Sequence, residues 1–354
     1  MDSIVQRSGR GQAAGPIAVY GATGHTGRLV AAELAARGKD MVLAGRSIEA
    51  LRALAGELDA PARVQVADLD DSESLRAVTE NADVVINCAG PFSRSGEAVA
   101  SAALSTGCHY LDHAAEPLYV KHLFDALQGK ARENGAVVIP GMSFYGALAD
   151  LLADLVTAGM SQVDTVTVAY AVSGWRMTAA SKKTALQLNG TDRVLYTDGV
   201  YKTGPGGGAP ESFTFPPPVG TRSVLVDYPA GEIVTIPRHV GARSVRALMT
   251  TDTFTEDGVF SSENLDAAAR AQSAFTIVVQ ATSTTGTRAA FLRGEDIYHA
   301  GAITSVEAAA RLAGNQSASL GVLSAAEAFS ADRFLHALQQ RGLFTISLSN
   351  NGSV

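Results

Sequence analysis

The sequence predicts an α/β protein, in which an N-terminal doubly wound parallel sheet is followed by a second α+β domain with a largely antiparallel sheet. Three observations carry that expectation. From residue 17 to about 139, short apolar runs alternate with helically periodic stretches across short connections, as parallel strands and their crossover helices do. The first run closes on Gly21, Gly24 and Gly27 and passes directly into a helical stretch. After Gly159 the period becomes two: Val166, Val168, Tyr170 and Val172 share one face, with threonine, alanine and serine on the other.

Taken in order, Ile17–Tyr20 is the first strand. The helix after the glycine turn runs over Leu29–Ala36, with Leu29, Val30 and Leu34 on one side and Gly38 past its end. Such a turn offers free N–H groups at a helix start to a pyrophosphate. Gly21 permits the tight turn, Gly24 lets a diphosphate approach the backbone, and Gly27 lets helix and strand pack closely. The spacing is G-x-x-G-x-x-G, one residue longer than the common dinucleotide loop. The second strand, Asp40–Ala44, ends in Gly45-Arg46-Ser47. An NAD-binding unit places an acid roughly 20 residues past the turn for the ribose 2′-hydroxyl. Here that place holds Arg46, whose guanidinium can pair with a 2′-phosphate and stack on adenine, so NADP is favoured over NAD. The plain alternative is a solvated Arg46 beside Ser47 as a helix cap, and Ser47 serves as that cap in either case.

The next helix carries Ile48, Leu51, Leu54 and Leu58, and Pro61 separates it from a third strand over 62–67. Asp68 follows at the strand's carboxyl end, where it either accepts from an adenine amino group or caps the short helix bearing Leu75 and Val78. Asp83–Asn87 is the fourth strand, and Cys88-Ala89-Gly90-Pro91-Phe92 lies at the same edge, small enough for the backbone to run along a cofactor. Cys88 reads as a small buried hydrophobe rather than a nucleophile. A helix over Ser95–Gly107 leads to strand Cys108–Asp112, then His113, Ala114, Ala115 and Glu116. His109 and His113 lack converging partners for a metal, so none is expected. Asp112, His113 and Glu116 fit cofactor-side polar residues or proton carriers better. A helix over Leu118–Asn134, a strand over Ala136–Ile139, the turn Pro140–Gly146 and a helix over Ala147–Ala158 complete this half.

Composition sets bounds. A chain of 354 residues exceeds one usual domain, and 46% hydrophobic against 18% charged residues suits a large core. A net charge of −7 without a basic run argues against a nucleic-acid partner. Two cysteines, Cys88 and Cys108, do not make a disulfide framework. Met1–Gly15 is polar and has no signal-peptide core, and no apolar run reaches the roughly 18 residues of a membrane span. The expectation is a soluble cytoplasmic protein.

Together, G-A-T-G-H-T-G-R after the first strand, A-G-R-S after the second, N-C-A-G-P-F after the fourth, H-Y-L-D…E after the fifth and I-P-G-M before a long helix resemble the saccharopine dehydrogenase-like reductases, trans-acting enoyl reductase branch. The motifs cover roughly 17 to 150; Ser181–Ala185 and Gly321–Phe329 echo the family faintly. The resemblance implies an NADP-dependent oxidoreductase with a Rossmann lobe and a mixed substrate lobe. It carries cofactor contacts onto Gly21, Thr23, Gly24, His25, Thr26, Arg46, Ser47, Asp68, Ala89, Gly90 and Pro91, with Gly27 and Phe92 beside them. It also implies that the second sheet can pair two chains into a homodimer. Two departures fall on the substrate side: Ala115 where the family commonly has glycine, and Lys182-Lys183-Thr184 where it has Arg-Gly-Thr or Gly-Gly-Thr.

In the second half, Gly174–Thr178 is a loop and Ser181 caps a helix through Leu188. Trp175 either stacks on substrate or nicotinamide or anchors the lobes. Arg176, Lys182 and Lys183 either hold a carboxylate or carrier phosphate or are solvated. Gly199–Gly220, rich in glycine and proline, reads as a long loop, a lid or a disordered insert. Strands are expected at 221–227, 243–252, 274–282 and 287–298, and helices near Pro229–Thr235, over Ile303–Leu312 and over Ser324–Arg341. The expected division is a tail at 1–15, an NADP-binding domain at 16–150, a substrate and dimerisation domain at 151–318, and a C-terminal helix at 319–354 packing back on the first domain.

The functional expectation is hydride transfer from NADPH to an electrophilic carbon, a conjugated C=C bond, in a small or carrier-bound metabolite. Tyr145, Asp112 and His113, all at the carboxyl edge of the sheet, are the candidate proton carriers, and Trp175, Arg176 and Lys182 the candidate substrate contacts. Imine reduction of saccharopine type is the alternative; it would need a carboxylate clamp from Arg176, Lys182, Arg238 or His239. A sensor that binds NADP without turnover is the rival from another class.

Overall fold

The computed structural model describes residues 15–188, 191–261 and 266–349, so the expected tail lies outside the described residues except for Gly15. The first half alternates as β1 (Ile17–Tyr20), α1 (His25–Ala36), β2 (Met41–Gly45), α2 (Ile48–Glu57), β3 (Ala62–Val66), α3 (Ser72–Glu80), β4 (Val84–Asn87), α4 (Phe92–Thr106), β5 (His109–Asp112), α5 (Pro117–Glu133), β6 (Val137–Ile139) and α6 (Ala147–Thr157). Residues of β1, β2 and β4 are buried along their whole length, which is why these strands read as unbroken apolar runs. Ile17 stands opposite both Met41 and Val84, so β1 is the strand at which the winding reverses.

The second half contains β7 (Val163–Ser173), α7 (Ala179–Leu188), β8 (Arg193–Thr197), β9 (Val200–Gly204), β10 (Glu211–Thr214), β11 (Thr221–Leu225), α8 (Glu232–Thr235), β12 (Ala242–Thr250), α9 (Ala267–Arg270), β13 (Ala274–Ser283), β14 (Gly286–Glu295), α10 (Ile297–Ala313), β15 (Gly321–Val322), α11 (Ala325–Ala328), α12 (Ala331–Gln340) and β16 (Phe344–Ser349). The first sheet is parallel throughout, in the order β15-β6-β5-β4-β1-β2-β3. The second runs β10-β11-β12-β7-β13-β14-β16, with β8 on β12 and β9 on β8. Only β7 and β12 pair in parallel there; the other pairings are antiparallel. Helix α6 lies across β13 and β14, whereas α10 comes back to α1 and the first sheet. Among the described residues no helix is long and apolar enough to cross a membrane.

Four sequence expectations need correction. Residues 199–220 are not a long loop: Val200–Gly204 and Glu211–Thr214 are strands paired to β8 and β11. Their glycine and proline content belongs to the connections, and averaging over the stretch hides two short alternating runs. The helix expected at Ser324–Arg341 is two. Ser324 closes a capping box with Glu327 over a single turn, Phe329 is extended, and Ser330 starts α12. Helix α10 begins at Ile297 instead of Ile303, because Asp296 caps it by accepting the His299 N–H. The terminal segment also does not return as one unit: Gly321–Val322 extend the first sheet and Phe344–Ser349 the second.

Candidate active site

The carboxyl edge of the first sheet and the inner side of the second enclose a cleft of about 840 Å³. Thr26, Cys88, Gly90, Phe92, His113, Glu116 and Tyr145 line it from the edge of the first sheet, Trp175, Tyr228 and Phe254 from the second lobe, and Tyr298 from the start of α10.

At the cofactor end, the glycines behave as their spacing implies. Gly21 has φ +77°, and a Cβ there would meet Ala89 at 2.9 Å. A Cβ on Gly27 would sit 2.3 Å from the Gly21 carbonyl oxygen, so helix and strand touch only because it is absent. Gly24 is the N-cap of α1, with no side-chain cap and no acidic residue in the first turn. The other side-chain-capped helices satisfy this end themselves, as Ser47 does for Ala50 and Asp71 for Glu73 and Ser74. The starts of α4, α5, α6 and α12 also lack a side-chain cap, but only that of α1 follows the Gly21–Gly24 turn, which leaves its N–H groups to an anion. His25 adds a buried Nε2 without a hydrogen-bond partner, its ring edge-on to Tyr298 at 4.9 Å. Burial, with Arg270 nearby, lowers the His25 pKa and keeps the ring neutral.

Arg46 is exposed beside Ser47 and makes no ion pair among the described residues. Asp68 is partly committed, since its Oδ1 accepts the Asp70 N–H at 3.0 Å in a local turn. Thr23 lies within the turn, and Ala89, in the loop after β4 that continues to Gly90 and Pro91, abuts Gly21. Sequence reasoning missed what sets that second loop. Buried Asn87 accepts the Ala89 N–H at 3.0 Å and donates to Ser95 and Tyr110, while Ser95 donates to the Ala89 carbonyl. Arg46→Ala is expected to weaken NADP binding about ten- to a hundredfold, the worth of a charged hydrogen bond, and to leave NAD binding unchanged in a fluorescence titration.

The three candidate proton carriers separate. Asp112 is fully buried and outside the cleft. Its Oδ2 accepts from Tyr110 and Tyr119 at 2.9 and 2.7 Å, and its Oδ1 from Ala114 and Gly141 N–H at 2.9 and 2.7 Å. Four donors around one carboxyl make it the anchor of the β5 and β6 ends, so its assignment to proton transfer is corrected. His113 lines the cleft, with Nε2 3.0 Å from Ser305 Oγ. Burial pulls its pKa down to about 4, so it is neutral near pH 7 and offers a hydrogen bond but no imidazolium proton. Tyr145 lines the cleft with a buried hydroxyl beside that of Tyr228, and burial, with Tyr228, pushes its pKa well above the ordinary phenol value. It stays a protonated donor.

Trp175 lies just past β7. It lines the cleft, and its Nε1 donates to Tyr298 Oη at 3.1 Å. Arg176 and Lys182 turn out of the cleft: Arg176 donates to Ser261 Oγ and Lys182 to the Phe260 carbonyl. From α7 the cleft is lined by Ala180, Ser181, Thr184, Ala185, Leu186 and Leu188, without Lys182 or Lys183. Tyr298, Tyr228 and Phe254 carry no motif and become site residues only through tertiary placement. Glu116, buried, fixes the loop edges by accepting the Phe92 and Ala115 N–H groups at 3.0 and 2.9 Å. The Cys88 thiol is pushed up by burial, against a nucleophilic role. Among the described residues no group of three or more His, Cys, Asp or Glu side chains converges as a metal site.

An uncapped helix start after a glycine turn, at the switch point of a parallel sheet and opening on a shared cleft, defines a dinucleotide-binding α/β protein. Residues 17–139 match the model of the saccharopine dehydrogenase NADP binding domain. The chain is 33% identical over 140 residues, 38% of its length, to a trans-acting enoyl reductase of Mycobacterium tuberculosis. It is 34% identical over 146 residues, again 38% of its length, to a lipid droplet localized protein of Caenorhabditis elegans. Each match covers 34% of the relative, so the chain spans about a third of the length of the curated relatives it matches. In shape it follows saccharopine dehydrogenase (L-Glu forming) of Saccharomyces cerevisiae, with TM-score 0.62 over 95% of this chain and 100% of that one at 13% identity. The fold is thus the saccharopine dehydrogenase fold.

Proposed function

We propose that the protein is an NADPH-dependent reductase that delivers hydride to a conjugated C=C bond in an apolar acceptor, small or carrier-bound. The observation behind the acceptor's class is how little positive charge reaches the cleft. Phe144, Tyr145, Trp175, Met177, Tyr228 and Phe254 line its middle, and among the described residues Arg193 is its one lysine or arginine. Arg193 Nη1 is turned back on the Leu188 and Thr191 carbonyls. An amino-acid substrate would call for a carboxylate clamp, and the material for it is spent elsewhere. Arg238 pairs with Glu327 and lies 3.9 Å over Phe124, and His239 pairs with Asp150.

The α1 start and the glycine turn would hold the diphosphate and Arg46 the 2′-phosphate of NADPH, which supplies the hydride. The aromatic walls keep water from the reacting carbons. Tyr145 gives the proton that must follow, and neutral His113 is left to orient a carbonyl by a hydrogen bond. The test follows NADPH absorbance with an alkyl enone, a crotonyl thioester, and a keto acid with an amine. Oxidation with the first two is expected. Oxidation by the third alone would move the assignment to imine reduction, and oxidation by none would make the protein a sensor.

A further inference from the structure

Behind the cleft wall lies a carboxyl that the scheme above does not use. Glu232 begins α8 with 0% exposure. Its Oε1 accepts the Gly146 N–H at 2.8 Å and also the Tyr170 hydroxyl, and its Oε2 has no partner. An ionised carboxylate with one bare oxygen in such a place is costly, and burial raises the Glu232 pKa against the Tyr170 and Gly146 hydrogen bonds that lower it, which favours the protonated form. Its titratable surroundings are Tyr170 on β7, Tyr145 before α6, Tyr228, and Asp150 on α6, whose charge His239 already balances.

Three phenol rings bridge this carboxyl to the cleft. Tyr145 lies 5.3 Å from Tyr170 and 6.2 Å from Tyr228, and Tyr170 lies 6.5 Å from Tyr228, between ring centroids. Tyr145 and Tyr228 line the cleft, and Tyr170 is wholly buried behind them. The backbone is fixed as well. Gly146 has φ +100°, and a Cβ there would meet the Gly141 carbonyl oxygen at 2.4 Å, so the turn carrying Tyr145 closes only with glycine. Glu232 pins the last N–H of that turn.

We propose that Glu232 is a positioning residue for proton delivery: it fixes the turn bearing Tyr145 and, through the tyrosine cluster, returns a proton to that phenol after each turnover. This rests on the reductase reading above. Hydride arrival at one alkene carbon leaves the π pair on the neighbouring carbon. The Tyr145 O–H bond breaks and a C–H bond forms there. The phenolate, costly in an apolar wall, is reprotonated from Glu232 by way of Tyr170, and once product leaves, solvent in the cleft returns a proton to Glu232 along the same tyrosines. The net consumption is one hydride and one solvent proton.

The test uses the full chain as wild type and as Glu232→Gln, Tyr170→Phe and Tyr145→Phe, with two readouts. In infrared difference spectra without cofactor, the C=O stretch of a protonated carboxyl is expected to vanish in Glu232→Gln and to shift in Tyr145→Phe and Tyr170→Phe. In steady-state reduction of the alkyl enone, Glu232→Gln is expected to lower kcat about tenfold or more, leave KM within about twofold, and change the pH profile and the solvent isotope effect. An unchanged carboxyl band, or an unchanged pH profile in an active Glu232→Gln enzyme, overturns the proposal. Failure of the wild type to oxidise NADPH with any acceptor overturns the reductase reading instead, and the infrared result still decides whether Glu232 holds the proton.

Discussion

Tyr145→Phe is expected to lower kcat about a hundred- to ten-thousandfold with the alkyl enone, while KM and NADPH affinity stay nearly constant. The substitution removes one oxygen from a wall that is otherwise aromatic. Phe144 and Tyr170 pack on the ring at 4.8 and 5.3 Å, and those contacts survive. The lost hydroxyl neighbours that of Tyr228, which itself lines the cleft, so its removal leaves no group sealed away from solvent. Its effect falls on the step in which a proton is needed. Stopped-flow and steady-state kinetics read this directly, and an unchanged kcat would remove Tyr145 from the mechanism.

The largest loss of stability is expected from Asp150→Ala, about 3 kcal/mol, because a largely buried imidazolium would keep only the half-exposed Asp154, 3.7 Å from its Nδ1. Asp150 is 1% exposed; its Oδ1 lies 2.9 Å from His239 Nε2, and its Oδ2 accepts the Ala326 N–H at 2.9 Å. One carboxylate thus ties α6 to the turn after α8 and to α11. Burial opposes charge on His239, but Asp150, with Asp154 behind it, prevails and raises its pKa to about 10. That contribution is complete below the ordinary value of 6.5 and fades as pH rises through about 10. Burial likewise opposes charge on Asp150, and His239 more than offsets it, so the Asp150 pKa falls below 3.8. Its contribution is present above 3.8 and is lost as pH drops through the depressed value. In urea unfolding, the gap between wild type and Asp150→Ala should be greatest between about pH 4 and 6.5 and close towards pH 10. A gap independent of pH would assign the loss to packing.

What the sequence discloses follows how local each feature is. The glycine turn, Arg46 and the parallel alternation are legible because β1, β2 and β4 are buried on both faces and a phosphate turn is built from adjacent residues. The substrate side is not, because it is assembled at long range. Tyr228, Tyr298 and Glu232 meet Tyr145 through the packing of the second lobe on the first, which no spacing encodes. Lys182 shows the complementary error. Its charge is visible in the sequence, but the face of α7 turned to the cleft is decided by what lies beneath the helix. Asp112 reads as an acid at a sheet edge, and only the four donors around it reveal an anchor.

The pairing of Gly321–Val322 with Val137–Val138 bears on how the molecule comes to be made. Synthesis at about 5–20 residues per second delivers β6 on the order of ten seconds or more before its outer neighbour leaves the ribosome. During that wait the β6 margin has its amides and carbonyls bare, the condition under which strands of separate nascent chains join. A chaperone, or slow translation spaced between polysomal neighbours, would matter most in that interval, and a fragment ending before residue 321 would keep the vulnerability for its lifetime.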